Sequence, residues 1–133
     1  MTIENPDITG AQGMTNDIAA LEHLAKTYLD GLYEGDVKKL GSVFLPTSAL
    51  TQVADGQVAI TPRDAWLERV AGRPSPKSAG LERHDHVLTI DLVGPTLAHL
   101  KIKCAIPPKF FTDLLSCLKV DGRCLVAQKV FMS

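Results

Sequence analysis

Residues 27–44 place two amphipathic helices one after the other, with a two-residue break between them. Gly35 fits the left-handed position that follows a helix end, and Asp36 is a preferred residue for capping the helix after it. We therefore expect a first helix that begins at Thr15 or Asn16, followed by a short second helix. Apolar residues recur at spacings of three and four along the first helix, which is the period of one helix face. They are Ile18, Leu21, Ala25, Tyr28, Leu29 and Leu32.

The rest of the chain changes from helical patterns to strand patterns. Asp55 and Gly56 form a strong two-residue turn signal, which predicts a hairpin over residues 49–60. A third helix should begin at Thr61-Pro-Arg-Asp64, which resembles a capping box with proline at the first helical position, and end at Gly72. Four long segments rich in β-branched and aliphatic residues follow, separated by turn residues. They cover residues 81–93, 97–106, 110–120 and 123–131.

Helices that come first and strands that come last predict an α+β fold, with the helices packed on one face of a bent sheet. Short connections between the four long strands predict antiparallel neighbours. The 133 residues suit one domain over residues 15–133. Residues 1–14 are polar and contain proline and glycine, so we expect a loose N-terminal arm there.

Charge and composition exclude several classes of partner. The net charge is −1, so neither nucleic acid nor a membrane is expected as a partner. The sequence has no signal-peptide pattern and no apolar run of membrane-spanning length, which predicts a cytoplasmic protein. Cys104, Cys117 and Cys124 lie in apolar segments without metal-site spacing, so buried free thiols are expected there. Phosphate-loop, nucleophile-elbow and zinc-protease motifs do not occur, so no cofactor and no metal are expected.

The order of these elements resembles the nuclear transport factor 2-like superfamily, also called SnoaL-like or cystatin-like, over nearly the whole chain from Thr15. Some stretches are similar to a bacterial subgroup catalogued as putative lumazine-binding proteins. The chain departs from that subgroup at Cys124, where tryptophan is usual, and at Pro107-Pro108. The similar stretches are Tyr28-Leu-Asp-Gly-Leu-Tyr-Glu-Gly-Asp36, Arg73-Pro-Ser-Pro76, residues 111–123 and Lys129-Val-Phe131.

This resemblance implies a cone-shaped barrel, made of a bent antiparallel sheet with the N-terminal helices packed on its concave face. Such a cone encloses an apolar cavity, a concave site of the kind that binds small molecules. The outer sheet face often forms a dimer in this superfamily, so a homodimer through that face is expected. The subgroup implies a small aromatic or heterocyclic ligand.

The superfamily also contains ketosteroid isomerases, which use an aspartate base and an oxyanion hole made of a tyrosine and a protonated aspartate. When the two helices are aligned, Tyr28 falls on the oxyanion-hole tyrosine and Ser116 on the second aspartate. The base falls on Gln52, or on Thr51 if the alignment slips by one residue. An amide cannot take up a proton as a carboxylate does, so this isomerase chemistry is not expected.

Three aromatic residues are candidates for the cavity wall. Tyr28 lies on the apolar stripe of the first helix, and Trp66 lies on the third helix. Each is either a core residue or a pocket residue, because both side chains combine an apolar ring with a polar group. Phe131 ends the last strand, where the resemblance to isomerases implies an aromatic wall residue.

Polar residues inside the strand segments are further candidates. In His84-Asp85-His86 the two imidazoles should share one face of a strand, because side chains alternate along it. That face is either exposed to solvent, or it supplies a general base, or it forms part of a metal site. Asp113 is expected on the outer sheet face, paired with a lysine, with a catalytic acid as the alternative. Lys129 either reaches into the cavity to hold an anionic group or extends outward. The expected lysine partners of Asp113 are Lys101, Lys103 and Lys129.

The first functional hypothesis is therefore a non-catalytic protein that binds an aromatic or heterocyclic molecule in an apolar cavity. Its expected ligand residues are Tyr28, Gln52, Trp66, Ser116, Lys129 and Phe131. One alternative is a small cofactor-independent enzyme, a cyclase, isomerase or dehydratase, with His84 or His86 as base and Tyr28 as electrophile. Another alternative is a dimeric structural or accessory domain.

Overall fold

The computed structural model describes the backbone of residues 6–133 and the side chains of residue 13 and residues 16–133. Within these residues the chain forms three helices and six strands. The helices are α1 (Pro6–Glu34), α2 (Val37–Val43) and α3 (Arg63–Ala71). The strands are β1 (Phe44–Ala54), β2 (Gln57–Pro62), β3 (His86–Leu92), β4 (Leu97–Ile106), β5 (Lys109–Val120) and β6 (Arg123–Met132).

The predicted break between the first two helices is confirmed. Gly35 has φ +68°, a value that side chains with a Cβ atom rarely adopt. The Asp36 carboxylate accepts hydrogen bonds from the backbone amides of Lys38 and Lys39, at 3.0 and 3.1 Å. These contacts satisfy amides that have no partner inside α2, so the local sequence determines where the second helix begins.

The predicted start of the first helix was wrong. Helix α1 begins at Pro6, not at Thr15 or Asn16, so residues 6–14 of the expected loose arm are helical. Proline is compatible with the first turn because its missing N–H has no helical acceptor there. Residues 1–5 lie outside the part of the chain that the structure describes.

The hairpin prediction is confirmed, whereas the predicted capping box was wrong. Asp55 and Gly56 connect β1 to β2 with φ values of +53° and +76°. At the start of α3, Pro62 is the cap and no side chain bonds to the exposed amides. Asp64 instead forms an ion pair of 3.0 Å with Arg63, and Thr61 belongs to β2. Proline in the capping position displaced the predicted motif by one residue.

The six strands form a curled, unclosed sheet in the order β2-β1-β6-β5-β4-β3. Four of the five neighbouring pairs are antiparallel, as predicted, and the β1–β6 pair is parallel. The prediction of antiparallel neighbours rested on short connections between strands. Strands β1 and β6 are joined through α3 and four other strands, so no short connection constrains their direction.

The start of strand β3 also differs from the prediction. Strand β3 begins at His86, not at Leu81. The preceding segment bonds to α1, where Tyr33 donates to the Leu81 carbonyl at 3.0 Å and Arg83 pairs with Asp30 at 2.6 Å. Because these groups are satisfied by helix α1, the segment does not extend the sheet.

The core lies between the helices and the concave face of the sheet. Its fully buried members come from α1, α2 and strands β1, β4, β5 and β6. They include Leu21, Tyr28, Leu40, Leu100, Ile102, Leu115 and Val126. No helix in the described part of the chain is both long enough and apolar enough to cross a membrane.

A binding site can form on the concave face of the sheet, where the helices pack.

Candidate functional site

Strand β5 directs Asp113 into the concave face, opposite to the prediction. Asp113 and Leu115 are both fully buried, and they alternate with Leu114 and Ser116, which are partly exposed on the outer face. The alternation itself was correct, but the faces were exchanged because the isomerase alignment had placed Ser116 inside. Ser116 is therefore not a residue of the concave site, and Asp113 is.

Asp113 forms a short buried hydrogen bond with Tyr28. The phenol of Tyr28 donates to Oδ2 of Asp113 at 2.6 Å, and neither residue is exposed. Burial, followed by the charge of Asp113, raises the pKa of Tyr28 well above its ordinary value. The phenol therefore stays protonated and acts as a hydrogen-bond donor.

The remaining contacts of Asp113 leave one oxygen atom unsatisfied. The thiol of Cys104 donates to Oδ2 at 3.3 Å, and burial raises the pKa of this thiol. Oδ1 is buried and has no hydrogen-bond partner among the described residues. An unsatisfied buried acceptor costs about 1–3 kcal/mol, so a hydrogen-bond donor that reached Oδ1 would be stabilised there.

Lys129 extends from β6 into the same site. Only 6% of the residue is exposed, and its Nζ lies 3.8 Å from Oδ2 of Asp113. This ion pair agrees with one of the expected partners of Asp113, although it lies inside the cone. At 3.8 Å the ion pair is longer than a direct hydrogen bond. Burial lowers the pKa of Lys129, and the charge of Asp113 opposes that change.

Three aromatic rings surround the Lys129 ammonium. Nζ lies 4.7 Å from the ring centre of Phe131, 5.2 Å from that of Trp66 and 5.4 Å from that of Tyr28. Ring faces attract a cation within about 6 Å. The rings therefore compensate part of the hydration that the buried amine has lost.

These residues border a cavity of about 300 Å³, which we call the sheet cavity. Four of the six expected ligand residues line it, namely Gln52, Trp66, Lys129 and Phe131. Tyr28 lies behind the wall and reaches the cavity through Asp113 and Lys129. The other lining residues are Leu32, Leu50, Thr61, Arg69, Arg73, Cys104, Ala105, Ile106, Lys109, Phe111 and Asp113.

The cationic lining of the sheet cavity was missed in the sequence. Arg69, Arg73 and Lys109 line it and are exposed, so they mark its mouth. No described side chain pairs with the Arg73 guanidinium or the Lys109 ammonium, and partial burial lowers the pKa of Arg73. A partial signal was present, because Trp66 and Arg69 are three residues apart within the third helix, as on one helix face, whereas Arg73 lies beyond the end of that helix. The expected apolar cavity thus has a positively charged entrance.

The candidate residues His84 and His86 lie outside the sheet cavity. His84 precedes β3, so the predicted shared strand face was wrong. Its ring contacts that of Phe110 at a tilted angle, with ring centres 5.4 Å apart. Both histidines line a second groove of about 400 Å³, which meets the sheet cavity at Cys104 and Phe111. Within the described residues, no group of three or more histidine, cysteine or acidic side chains is arranged to hold a metal ion.

The cysteines are free thiols. Cys104 and Cys117 are buried, and Cys124 is half-buried. Burial raises the pKa of Cys117 to about 12. Protonated thiols are weak nucleophiles, so the polar chemistry of the sheet cavity depends on its other side chains.

Solved structures share this fold. An NTF-2-like protein of unknown function from Silicibacter pomeroyi is 22% identical, covering 90% of this chain and 97% of that chain, with a TM-score of 0.79. A domain of unknown function with a cystatin-like fold from Nostoc punctiforme is 14% identical over 89% and 77%, with a TM-score of 0.68. A putative scytalone dehydratase from Novosphingobium aromaticivorans is 18% identical over 91% and 86%, with a TM-score of 0.63. These likenesses show the nuclear transport factor 2-like, cystatin-like fold.

Sequence comparison identifies the family within that fold. No curated protein matches the chain. The profile of one family, described as putative lumazine-binding, matches residues 16–132, which is nearly the whole described chain. The chain therefore belongs to the putative lumazine-binding family.

Proposed function

We propose that the protein binds a small, flat aromatic or heterocyclic molecule that carries an anionic group, with its ring in the sheet cavity. The observation that carries this proposal is the Lys129 ammonium, buried against three aromatic rings without an acceptor at direct hydrogen-bond distance among the described residues. A buried ammonium is costly unless it is paired and hydrogen-bonded. A ligand oxygen next to Nζ would supply the missing acceptor.

The size and shape of the sheet cavity support a ring system. Its volume of about 300 Å³ lies at the lower end of the range for small-molecule sites, about 300–1,000 Å³. Trp66, Phe111 and Phe131 supply aromatic walls, and the rings of Phe111 and Phe131 lie 6.2 Å apart. These walls suit one ring or two fused rings, which bury apolar area and stack at little entropic cost.

The polar groups support a particular pattern on the ligand. Lys129 can donate to a ring carbonyl, and Oδ1 of Asp113 can accept from a ring N–H. Adjacent N–H and C=O groups of this kind occur in lumazine-type rings, consistent with the description of the family. Arg69, Arg73 and Lys109 at the mouth would attract an anionic substituent outside the ring.

Fluorescence titration tests this proposal. Trp66 is the only tryptophan, so binding of lumazine or riboflavin in the sheet cavity should change its emission. Lys129→Met removes a charged hydrogen-bond donor worth about 1.5–3 kcal/mol, so affinity should fall by at least about tenfold. Lys101→Met, on the exposed outer side of β4, is the matched control and should bind normally. Flat titrations across a panel of heterocycles would refute the proposal.

A small cofactor-independent enzyme is the second candidate, favoured by the convergence of Tyr28, Asp113 and Lys129. Such an enzyme would use Tyr28 as a donor, acting through Asp113, whereas the histidines border the second groove. The test is to incubate the protein with any ligand that titrates Trp66 and to analyse the recovered ligand. A ligand recovered unchanged after prolonged incubation argues for binding alone.

We also propose self-association through the outer sheet face. Leu97, Leu118, Val130 and Met132 are exposed large apolar residues of β4, β5 and β6. Exposed apolar patches mark interaction surfaces, and pairing with a second copy would cover this one. Sedimentation should show a dimer at micromolar concentration, and Val130→Lys should shift it to a monomer. A monomeric wild-type protein would contradict the proposal.

A further inference from the structure

We propose that Lys129 captures aromatic aldehydes or ketones covalently, as an imine formed inside the sheet cavity. The inference rests on the proposed function only in using the same cavity and the same ligand carbonyl. A lactam carbonyl of a lumazine-type ring would remain hydrogen-bonded to Lys129, whereas a more electrophilic aldehyde or ketone in that position would condense with it.

The position of the amine supports a nucleophilic role. Lys129 lines the cavity with 6% of its surface exposed, whereas Lys109, the other lysine of the lining, is exposed at the mouth. A carbonyl compound stacked between Trp66 and Phe131 would lie next to Nζ, because Nζ is about 5 Å from both ring centres. Positioning of this kind makes the reaction effectively unimolecular.

The contacts of the amine also leave it free to react. Oδ2 of Asp113, its nearest anionic atom, already accepts hydrogen bonds from Tyr28 and Cys104. The distance of 3.8 Å from Nζ to Oδ2 is too long for a direct hydrogen bond. The amine can therefore turn towards a carbonyl carbon without breaking a short hydrogen bond.

The electrostatic surroundings increase the fraction of neutral amine. Burial lowers the pKa of Lys129, and the charge of Arg73 acts in the same direction. Asp113 and Cys104 act in the opposite direction, and the net change is downward. A desolvated lysine with a lowered pKa is one of the arrangements by which proteins activate an amine nucleophile.

The proposed step is a balanced condensation. The Lys129 ammonium first loses a proton to solvent or to Asp113, and the neutral nitrogen forms a C–N bond to the carbonyl carbon. The π electrons of the carbonyl move to oxygen, which takes up a proton and becomes the hydroxyl of a carbinolamine. The nitrogen loses one proton to solvent, which gives the neutral carbinolamine. The hydroxyl then takes up a proton from solvent and leaves as water while the nitrogen lone pair forms the C=N bond, and the resulting iminium loses its N–H proton to solvent. The product is an imine, and no oxidant or reductant is consumed.

Reductive trapping tests this inference on the whole protein. The probe is 4-carboxybenzaldehyde, an anionic aromatic aldehyde, added with cyanoborohydride, which reduces an imine to a stable secondary amine. Peptide mass spectrometry then measures the labelling rate of each lysine. Lys129 should be labelled at least about tenfold faster than Lys101, because the cavity concentrates the aldehyde at that amine. Both lysines are measured in the same sample, so the result does not depend on a variant that folds.

Two controls separate this inference from the proposed function. Lys129→Arg keeps a cation but removes the reactive amine and should eliminate the fast phase, whereas Lys101→Arg should retain it. Titration of Trp66 fluorescence with 4-methylbenzoate, which lacks the aldehyde, reports non-covalent binding separately. Labelling of Lys129 no faster than that of Lys101 overturns the imine, whether or not 4-methylbenzoate binds. Failure of every non-covalent titration overturns the proposed function alone.

Discussion

Asp113→Leu should be among the most destabilising single substitutions in the sheet cavity. The change leaves Lys129 without its counter-charge at 3.8 Å and removes the acceptor of the 2.6 Å hydrogen bond from Tyr28. Removing one partner of a buried ion pair costs about 3–5 kcal/mol. The Tyr28 hydroxyl, left buried without its acceptor, costs about 1–3 kcal/mol. This cost overlaps with that of the broken ion pair, because the same carboxylate serves Tyr28 and Lys129. We therefore expect a loss of about 3–5 kcal/mol in the free energy of unfolding.

Adding compensating substitutions should recover this stability in two steps. Lys129→Met in the Asp113→Leu background removes the unpaired charge, and replacement of a whole buried pair by apolar residues is often neutral. Tyr28→Phe then removes the orphaned hydroxyl, which should recover about 1–3 kcal/mol. Asp113→Leu should therefore be the least stable protein and the double variant with Lys129→Met more stable. The triple variant that adds Tyr28→Phe should be close to wild type in stability.

Urea denaturation provides the assay, with the slope against urea checked for constancy across the variants. The matched control is Lys26→Met, which breaks an ion pair of 2.7 Å to Asp30 whose lysine side chain is 73% exposed. Because exposed pairs are weakened by solvent, this change should cost less than about 1 kcal/mol. The reasoning is refuted if Asp113→Leu falls in the same range as the control, or if Lys129→Met gives no recovery.

Three further predictions concern pH, packing and catalysis. The pKa of Lys129 is lowered in the folded state, so near pH 10.5 the unfolded chain binds more protons than the folded protein. The free energy of unfolding of wild type should therefore increase relative to that of Lys129→Met as the pH rises towards 10.5. A constant difference between pH 7 and 10 would contradict this. Gly31→Ala should destabilise the protein by about 1–3 kcal/mol, because the added Cβ would lie 2.8 Å from Cγ of Leu40. Gly13→Ala should stabilise α1 by about 0.5–1 kcal/mol, because no atom lies within 4 Å of the added Cβ. Thermal unfolding of both variants checks these opposite signs. Ketosteroid isomerisation should be absent, because Gln52 in place of the expected base cannot accept a proton, and turnover of a 5-ene-3-keto steroid at a rate typical of isomerases would refute it.

Local sequence determined the elements whose causes lie within a few residues. The turn at Asp55 and Gly56 follows from two residues that tolerate positive φ, and the second helix begins where Asp36 can satisfy free amides. The same reasoning was wrong at Pro6, where proline permits a helix start but does not require one. The α+β class also followed from the sequence, because the order of helical and strand patterns is a property of the chain itself.

Tertiary structure decided which residues form the candidate site. Alternation in β5 shows that Asp113 and Ser116 face opposite sides, but only packing against Tyr28 establishes that Asp113 is the inner one. The parallel pairing of β1 with β6 has the same cause, since partners far apart in sequence leave no local signal. Lys129 could have extended into solvent or into the cone, and three aromatic rings from α1, α3 and β6 determine that it is buried. The orientation of these side chains depends on contacts between segments that are far apart in the sequence, so no short stretch of the sequence determines it.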